Sequence, residues 1–308
     1  MNADLNDNAN PDNAAGENRP DNAAGEDRPD NHAGDNRPDN AAGENRPGSN
    51  PLASSDPVSV LAIDNCAAAA SIALVTLSAK TWDIQRVEML PRTDADGNPL
   101  RSAATLAPAL DRWVRESPEI IDRLSGVAVS HGPGSFTGLR VAVTTAKTLA
   151  YVWRLPVVGV DSTAAIAATV RVHRDDRDDP NPIAVIINAY RGQMYAARHE
   201  GDWTRWIDAD SPAVINSNDA DQWMREHAGL NLTAGESRVV TDCPQLLAAG
   251  SPDVDASKLN AMDFRTLPIA VGVAVLGASA LRRGSGIDPL HLVPRYLKPS
   301  AAEEKRRD

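Results

Sequence analysis

Apolar and polar positions recur with different periods along the chain, and these periods predict its strands and helices. Short, nearly continuous apolar runs are typical of buried strands. Segments in which apolar residues recur every three or four positions are typical of helices that bury one face. The predicted strands are Val58–Asp64, Ser71–Leu77, Trp82–Leu90, Val127–Ser130, Val157–Val160, Ile183–Asn188, Met194–Arg198, Trp203–Trp206, Ala213–Asn216 and Ser237–Thr241. The predicted helices are Leu100–Glu116, Thr137–Trp153, a short helix from Ser162, Asp219–Glu226 and Leu267–Arg283.

Two of these helices carry more specific expectations. Ser162 has a hydroxyl that suits the N-cap of the helix it precedes. In the helix 100–116, four apolar residues recur at helical spacing, and we expect them to face the core. These four residues are Ala103, Ala107, Leu110 and Val114.

Residues 1–56 have a different composition, with Leu5 and Leu52 as their only large apolar side chains after Met1. A nine-residue unit occurs four times, at Pro11–Arg19, Pro20–Arg28, Pro29–Arg37 and Pro38–Arg46. Stacked repeats need an apolar face to bury, and this unit has none. We therefore expect a disordered, acidic, low-complexity tail. A docking arm for a partner is the alternative.

Charge and cysteine content limit the function classes. The tail holds 12 acidic residues and four arginines, so of the formal net charge of −11 only −3 belongs to residues 57–308. Residues 57–308 therefore lack the excess of positive charge that would bind nucleic acid unaided. Cys66 and Cys243 show no metal-binding spacing. The run Leu267–Leu281 is too short to span a bilayer, and residues 1–4 resemble no secretory signal, so we expect a cytoplasmic location without membrane contact.

Three strands followed by alternating helices and strands are typical of a ribonuclease-H-like α/β unit, and a second such unit follows a polar break at 174–181. We therefore expect an α/β protein with two lobes, as in the actin-like ATPase fold. The expected divisions are the tail 1–56, a first lobe 57–165 joined by the helix at about 266–284, a second lobe 166–265 and a C-terminal tail 285–308.

The stretch His131–Arg140 holds the candidate chemistry. It places a glycine-proline turn between a strand and a helix, which leaves backbone N–H groups at a positively polarised helix N-terminus. Such a turn serves an anion or a close backbone contact, and the sequence leaves both open. The residues of this candidate loop are Gly132, Gly134, Ser135 and Gly138, with Asp64 at the end of the first strand.

Each of these polar residues also has a structural interpretation. Asp64 is expected to accept bonds from nearby backbone N–H groups rather than to bind a ligand. Ser135 and Thr137 are expected to cap the following helix. Arg140 is expected to pair with an acidic side chain or, less commonly, with a phosphate.

The helix 137–153 has an outward side that is unusually poor in charge, since Arg140 and Lys147 are its only charged residues. A helix that is uncharged nearly all round is either buried in its own domain or pressed against a partner, and the pattern supports both equally. On the partner interpretation, Ala146→Glu or Thr145→Arg would abolish binding.

The residues argue against two catalytic interpretations. A metallopeptidase needs closely spaced metal ligands, and no two of the six histidines lie within five residues of each other, so neither a metal nor another cofactor is expected. A nucleotide-binding ATPase or phosphotransferase needs phosphate-binding loops from both lobes, and the second lobe offers only isolated glycines. The nucleotide-binding enzyme is kept as the alternative to a protein that acts by binding a partner.

Five motifs together resemble one family. They are Ile63-Asp64, Gly132–Arg140, Pro156–Val160, Arg191–Tyr195 and Pro294–Leu297, in the family's order and spacing over residues 58–298. The chain resembles the TsaB family (also called YeaZ), the bacterial tRNA threonylcarbamoyladenosine biosynthesis proteins once annotated with M22 glycoproteases. Two positions depart from the family pattern, because Asn65-Cys66 stands where Thr or Ser is usual and Asn188-Ala189-Tyr190 where Asp-Ala-Arg is usual. Both departures weaken the case for nucleotide or Mg²⁺ binding.

The resemblance implies a non-catalytic scaffold that forms a heterodimer with the TsaD transferase. TsaD transfers a threonylcarbamoyl group to N6 of adenosine 37 in tRNAs that read ANN codons, and the ATPase TsaE joins the assembly. Contact with tRNA would be indirect, and self-association of the isolated chain stays open. The resemblance implies that helices of the first lobe contact TsaD, here through Ser102, Ala103, Thr137, Arg140, Val141, Thr144, Thr145 and Thr148.

Overall fold

The computed structural model describes residues 56–66, 69–79, 81–100, 102–176, 179–208, 211–228, 238–249 and 261–298. All of them belong to one compact unit, Asn45–Asp308. The predicted repeats lie outside the described residues, as do residues 299–308 of the predicted C-terminal tail.

Two five-stranded sheets and seven α-helices make up the described part of the chain. The strands are β1 (Val58–Asp64), β2 (Ser71–Leu77), β3 (Trp82–Met89), β4 (Gly126–Gly132), β5 (Val157–Asp161), β6 (Ile183–Asn188), β7 (Gln193–His199), β8 (Ala213–Asn216), β9 (Val239–Thr241) and β10 (Met262–Asp263). The α-helices are α1 (Ser102–Glu116), α2 (Ile120–Arg123), α3 (Phe136–Trp153), α4 (Ser162–Arg174), α5 (Ala220–Trp223), α6 (Pro244–Ala249) and α7 (Ala270–Arg282). The shorter helical segments include Trp203–Asp208 and Pro289–His291, both 3₁₀, and the π-helical turn Met224–Ala228.

The two sheets repeat one strand plan. The first has the order β3-β2-β1-β4-β5, and the second has β10-β9-β6-β7-β8. Read from its other edge, the second sheet has the same order, with β6 in the place of β1. In each sheet the first three strands are antiparallel and the last two run parallel to the first. This repetition confirms the predicted α/β class with two ribonuclease-H-like lobes.

The alternation of side chains along β1 divides the core into two layers. Val60 and Ala62 face α4 and α7, whereas Leu61 and Ile63 face α1 and α3. This is the period of two that a strand buried on both faces requires. The first sheet is therefore covered on both sides, with α1 and α3 together on one face.

α4 and α7 lie between the two sheets. α7 packs on β1, β2 and β4, and α4 packs on α7, β6 and β7. Every residue of α7 from Ala270 to Leu281 is buried, as expected for a helix that is apolar all round. The approach is so close that a Cβ on Gly272 would clash with the carbonyl oxygen of Ala165 on α4. The predicted lobe boundary at residue 165 falls inside α4, and that division remains a prediction.

Three local predictions were wrong. The segment Trp203–Trp206 is a 3₁₀ turn rather than a strand, with both indoles buried and Trp203 edge-on to Trp82. The N-cap of α4 is Asp161, which accepts hydrogen bonds from two backbone N–H groups, and Ser162 is the first helical residue.

The buried face of α1 is also different from the one predicted. Ala107 is exposed and Val114 is half-buried, whereas the side chain of Ala103 is outside the described set. The large side chain that fills this face is Trp113, which is 2% exposed. The buried residues of α1 are Leu106, Ala109, Leu110 and Trp113.

A polar chain connects β5, α4 and β7. Asp161 accepts a hydrogen bond from the Thr163 hydroxyl, and Thr163 Oγ1 lies 2.9 Å from His199 Nε2. Because the hydroxyl proton goes to Asp161, Thr163 Oγ1 must accept from His199 Nε2–H. Burial lowers the pKa of His199 to about 3, so the ring is neutral, and its Nδ1 has no partner among the described residues. Arg295 Nη1 lies 3.2 Å from the other oxygen of Asp161 and so ties the C-terminal segment to this chain.

The contact between α4 and α7 makes a prediction for Gly272→Ala. Alanine normally stabilises a helix interior by about 1 kcal/mol relative to glycine. Here the added methyl group meets the Ala165 carbonyl, so we expect a net loss of about 1–3 kcal/mol in the free energy of unfolding. Urea denaturation measures it. Ser279→Ala on the same helix is the control, since that hydroxyl bonds only the Val275 carbonyl of its own helix. A stabilised Gly272→Ala would contradict this packing.

His199 makes a prediction for the pH dependence of stability. An unfolded histidine has a pKa near 6.5, so below that pH the unfolded chain takes up a proton that the folded chain excludes. Stability is therefore expected to fall from about pH 6.5 downwards. Between pH 7 and 4.5 the wild type should lose about 2–3 kcal/mol more than His199→Gln, which does not titrate there. Both proteins contain His131, whose pKa is also lowered, and the buried carboxyls, whose raised pKa values change stability in the opposite direction. Their contributions therefore cancel when the two proteins are compared. Equal pH slopes in urea denaturation would refute it.

Candidate functional site

The glycine-rich loop joins β4 to α3, as the sequence predicts. β4 ends at Gly132, the Gly132–Pro133 peptide is cis, and α3 begins at Phe136. Ser135 is the N-cap, and its side chain accepts a hydrogen bond from Gly138 N at 3.3 Å. Ser135 therefore caps the helix as predicted, whereas the side chain of Thr137 is exposed in the first turn.

The three glycines of the loop lie against the backbone of this chain itself. A Cβ on Gly132 would clash with the carbonyl oxygen of Arg295, and one on Gly138 would clash with that of Asn65. A Cβ on Gly134 would lie 2.8 Å from the carbonyl oxygen of Cys66. Of the two uses that the sequence left open, the structure shows the close backbone contact.

Hydrogen bonds hold these contacts together. Ser135 N donates to the Cys66 carbonyl at 3.3 Å, and Asn65 Nδ2 donates to the Gly138 carbonyl at 3.1 Å. Arg295 N donates to the His131 carbonyl at 2.7 Å. The loop is thus joined both to the residues that follow β1 and to the C-terminal segment.

Asp64 is fully buried beneath this loop. Its Oδ1 accepts from Ser130 Oγ at 2.6 Å, from Cys66 Sγ at 2.8 Å and from Cys66 N at 3.3 Å. The bond from Cys66 N is the capping role predicted for this carboxylate. Burial raises the pKa of Asp64, and Oδ2 has no partner among the described residues.

Cys66 occupies the position where the resembling family usually has a hydroxyl. Its thiol donates to Asp64, and burial together with the adjacent carboxylate raises its pKa well above the usual value. The thiol therefore stays protonated, and it is neither a nucleophile nor a metal ligand in this state. The part of the chain that the structure describes contains no cluster of three or more His, Cys, Asp or Glu side chains that could hold a metal ion.

Arg140 contacts aromatic rings and forms no ion pair with an acidic side chain among the described residues, so the expected acidic partner was wrong, whereas the phosphate alternative stays a prediction. Its guanidinium lies 3.9 Å from the ring centroid of Phe136, and Nε donates to the Tyr296 hydroxyl at 2.9 Å. The two aromatic rings are themselves 4.8 Å apart. A cation stacked on an aromatic face in this way is stabilised by the ring quadrupole.

The outward side of α3 is exposed and nearly free of charge. Thr137, Thr144 and Thr148 are exposed, and at the end of the helix Tyr151 and Val152 expose 64 and 66% of their surface. Apart from Arg140, which is exposed, the charged residue of this helix is the half-buried Lys147.

The remaining residues of the predicted interface are less exposed. Val141 and Thr145 are half-buried, and Ala146 is fully buried in the core beneath α3. Ala146→Glu is therefore expected to unfold the protein, and its use as an interface variant was wrong. The side chains of Ser102 and Ala103 are outside the described residues. Their helix, α1, lies beside α3 on the same sheet face and exposes Ala104 and Ala107.

Residues of the C-terminal segment were missed as site residues by the sequence analysis. Arg295 and Tyr296 contact the loop and α3, which lie about 150 residues earlier in the sequence. Local periodicity carries no signal for such contacts. The sequence signal that could have identified them was Pro294–Leu297, one of the five motifs in which the chain resembles the TsaB family.

Comparisons with known proteins agree on one relationship. Residues 101–232 match the family model of TsaD, tRNA N6-adenosine threonylcarbamoyltransferase. The TsaB protein of Escherichia coli is 23% identical over 255 residues, which cover 80% of this chain and 97% of that protein. The TsaB protein of Bacillus subtilis is 37% identical over 93 residues, covering 30% of this chain and only 38% of that protein.

A solved structure shares the fold. YeaZ from Pseudomonas aeruginosa superimposes with a TM-score of 0.55 at 22% sequence identity and covers 78% of this chain and all of that chain. The motifs, the repeated strand plan and the match along nearly the whole E. coli protein agree. In sequence and fold, this chain is therefore similar to the TsaB/YeaZ proteins.

Proposed function

We propose that this chain is a non-catalytic partner of a TsaD-type transferase in the threonylcarbamoylation of N6 of adenosine 37 in tRNA. The names of its TsaB relatives and the match of residues 101–232 to the transferase family support this role. The two proteins form a heterodimer in the cytoplasm, a TsaE-like ATPase joins the larger assembly, and tRNA is contacted indirectly. No helix in the described part of the chain is long and apolar enough to cross a membrane.

The observation that carries the proposal is the exposed side of α3, on which Arg140 is the one exposed charged residue among those described. Surface helices normally present charged side chains to water, but this one presents threonines, Tyr151 and Val152. Small and β-branched side chains let the backbone of a partner approach closely, and apolar side chains gain free energy when a partner removes them from water. A protein partner at this face explains both features.

A nucleotide enzyme is the alternative, and the loop geometry argues against it. The space that a phosphate would take beside Gly132 and Gly138 is filled by the carbonyl oxygens of Arg295 and Asn65. Carbonyl oxygens repel anions. The unpaired Oδ2 of Asp64 is buried beneath these contacts.

The partner role makes a prediction for Thr148→Arg. Thr148 is exposed and bonds only the Thr144 carbonyl of its own helix, so the fold should tolerate the change. An unpaired guanidinium in an apolar interface is costly, and we expect at least about tenfold weaker binding of the transferase from the same organism. Titration calorimetry measures the affinity, and a tRNA threonylcarbamoylation assay with and without this chain measures the activity.

Thr81→Arg, in the exposed turn before β3, is the matched control and should bind like the wild type. Unchanged affinity of a folded Thr148→Arg would remove α3 from the interface. Failure of the wild type to bind the transferase or to support its activity would overturn the proposed function itself.

The closed loop makes a prediction for nucleotides. Titration of the isolated chain with Mg–ATP should give no saturable heat at millimolar ligand, and the chain should not hydrolyse ATP. Saturable binding that Asp64→Asn weakens would instead favour the phosphotransferase alternative.

A further inference from the structure

Four exposed apolar side chains near residue 290 are spaced three positions apart. Ile287, Leu290, Val293 and Tyr296 expose 39, 65, 66 and 42% of their surface. The segment contains a 3₁₀ turn, Pro289–His291, flanked by extended residues at Asp288 and Leu292. Leu292, between them, is 3% exposed and belongs to the core beneath α3. We name the four exposed side chains the C-terminal ridge.

The segment that carries the ridge runs antiparallel to α3. Ile287 pairs with Val157, just beyond the end of the helix, through two backbone hydrogen bonds of 2.9 and 3.0 Å. Lys147 Nζ donates to the carbonyls of Leu290 and Leu292, at 3.2 and 2.8 Å. Tyr296 meets Arg140 and Phe136 in the first turns of the helix. The ridge therefore follows the flank of α3 along nearly its whole length.

We propose that the C-terminal ridge and the outward side of α3 form one docking surface for the transferase-type partner. This inference rests on the proposed function and extends its interface to residues that the sequence analysis did not assign. Exposed apolar side chains grouped beside a helix surface that carries little charge are typical of a protein interaction site.

The area that a stable complex buries supports this extension. An 18-residue helix is about 27 Å long and roughly 10 Å across, so the outward side of α3 projects over about 270 Å², to which α1 beside it adds the exposed Ala104 and Ala107. A stable interface buries about 800 Å² on each partner. The ridge adds a second strip, parallel to the first and directly continuous with it through Tyr296.

The composition of the junction also fits a protein partner. Tyrosine and arginine are over-represented among the residues that dominate binding energy. Arg140 already contacts both Phe136 and Tyr296 before any partner binds. Because its rotamer is fixed in the free protein, less side-chain entropy is lost on association.

The test uses a double variant that carries both Leu290→Asp and Val293→Asp. Its affinity for the transferase is compared with that of the wild type and of Thr148→Arg. We expect the double variant to keep the wild-type melting temperature and to bind the transferase at least about tenfold more weakly. Val214→Asp, at an apolar side chain on β8 that is 39% exposed, is the control and should bind normally.

Hydrogen exchange on the wild-type complex gives a readout that needs no variant. Backbone amides of residues 287–296 should exchange more slowly when the transferase is bound, and this decides the matter if the double variant does not fold. Unchanged exchange there, or wild-type affinity of the folded double variant, would overturn the ridge proposal.

The outcomes separate this inference from the function on which it rests. If Thr148→Arg weakens binding and the double variant does not, the ridge proposal is wrong and the proposed function stands. If the wild type does not bind the transferase, both fail. If sedimentation shows that the double variant only converts a dimer of this chain into monomers, the ridge is a self-association surface and the proposal is overturned.

Discussion

The close approach of the loop 132–138 to the backbone at residues 65–66 and 295 is the constraint on which the rest of the structure depends. At these points the two backbones lie so close that a Cβ atom would clash with the opposing carbonyl oxygen, so only glycine fits. The contact fixes where α3 begins, how it lies over the first sheet and where the C-terminal segment crosses. Both parts of the proposed docking surface are positioned by this one contact, because each begins or ends there.

Much of the fold was predictable because its signals are local. Buried strands such as β1 and β6, and the apolar stripes of α3 and α7, appear as runs and periods in the sequence. Some of the errors occurred where long-range contacts decide the outcome. The run Trp203–Trp206 has the composition of a strand, but its indoles pack between the two sheets, and Trp82 lies edge-on to one of them.

The site was predictable in part for the same reason. The position of the loop and its cap at Ser135 follow from the strand–turn–helix order, whereas the choice between an anion and a backbone contact depended on Arg295, some 160 residues away. Arg140 illustrates the same difficulty. Its aromatic partner Phe136 lies one turn away in the helix, but Tyr296 is distant in the sequence. Charge complementarity alone suggested an acid or a phosphate.

The position of Tyr296 and Arg295 also bears on how the protein is made. During synthesis α3 leaves the ribosome well before residues 287–298, which complete the loop contacts and the surface beside the helix. Until then, the carbonyl of His131 lacks its donor, and Leu292 has not yet filled its place in the core. The proposed docking surface thus forms late in translation, and a nascent chain that stops short of this segment does not display it.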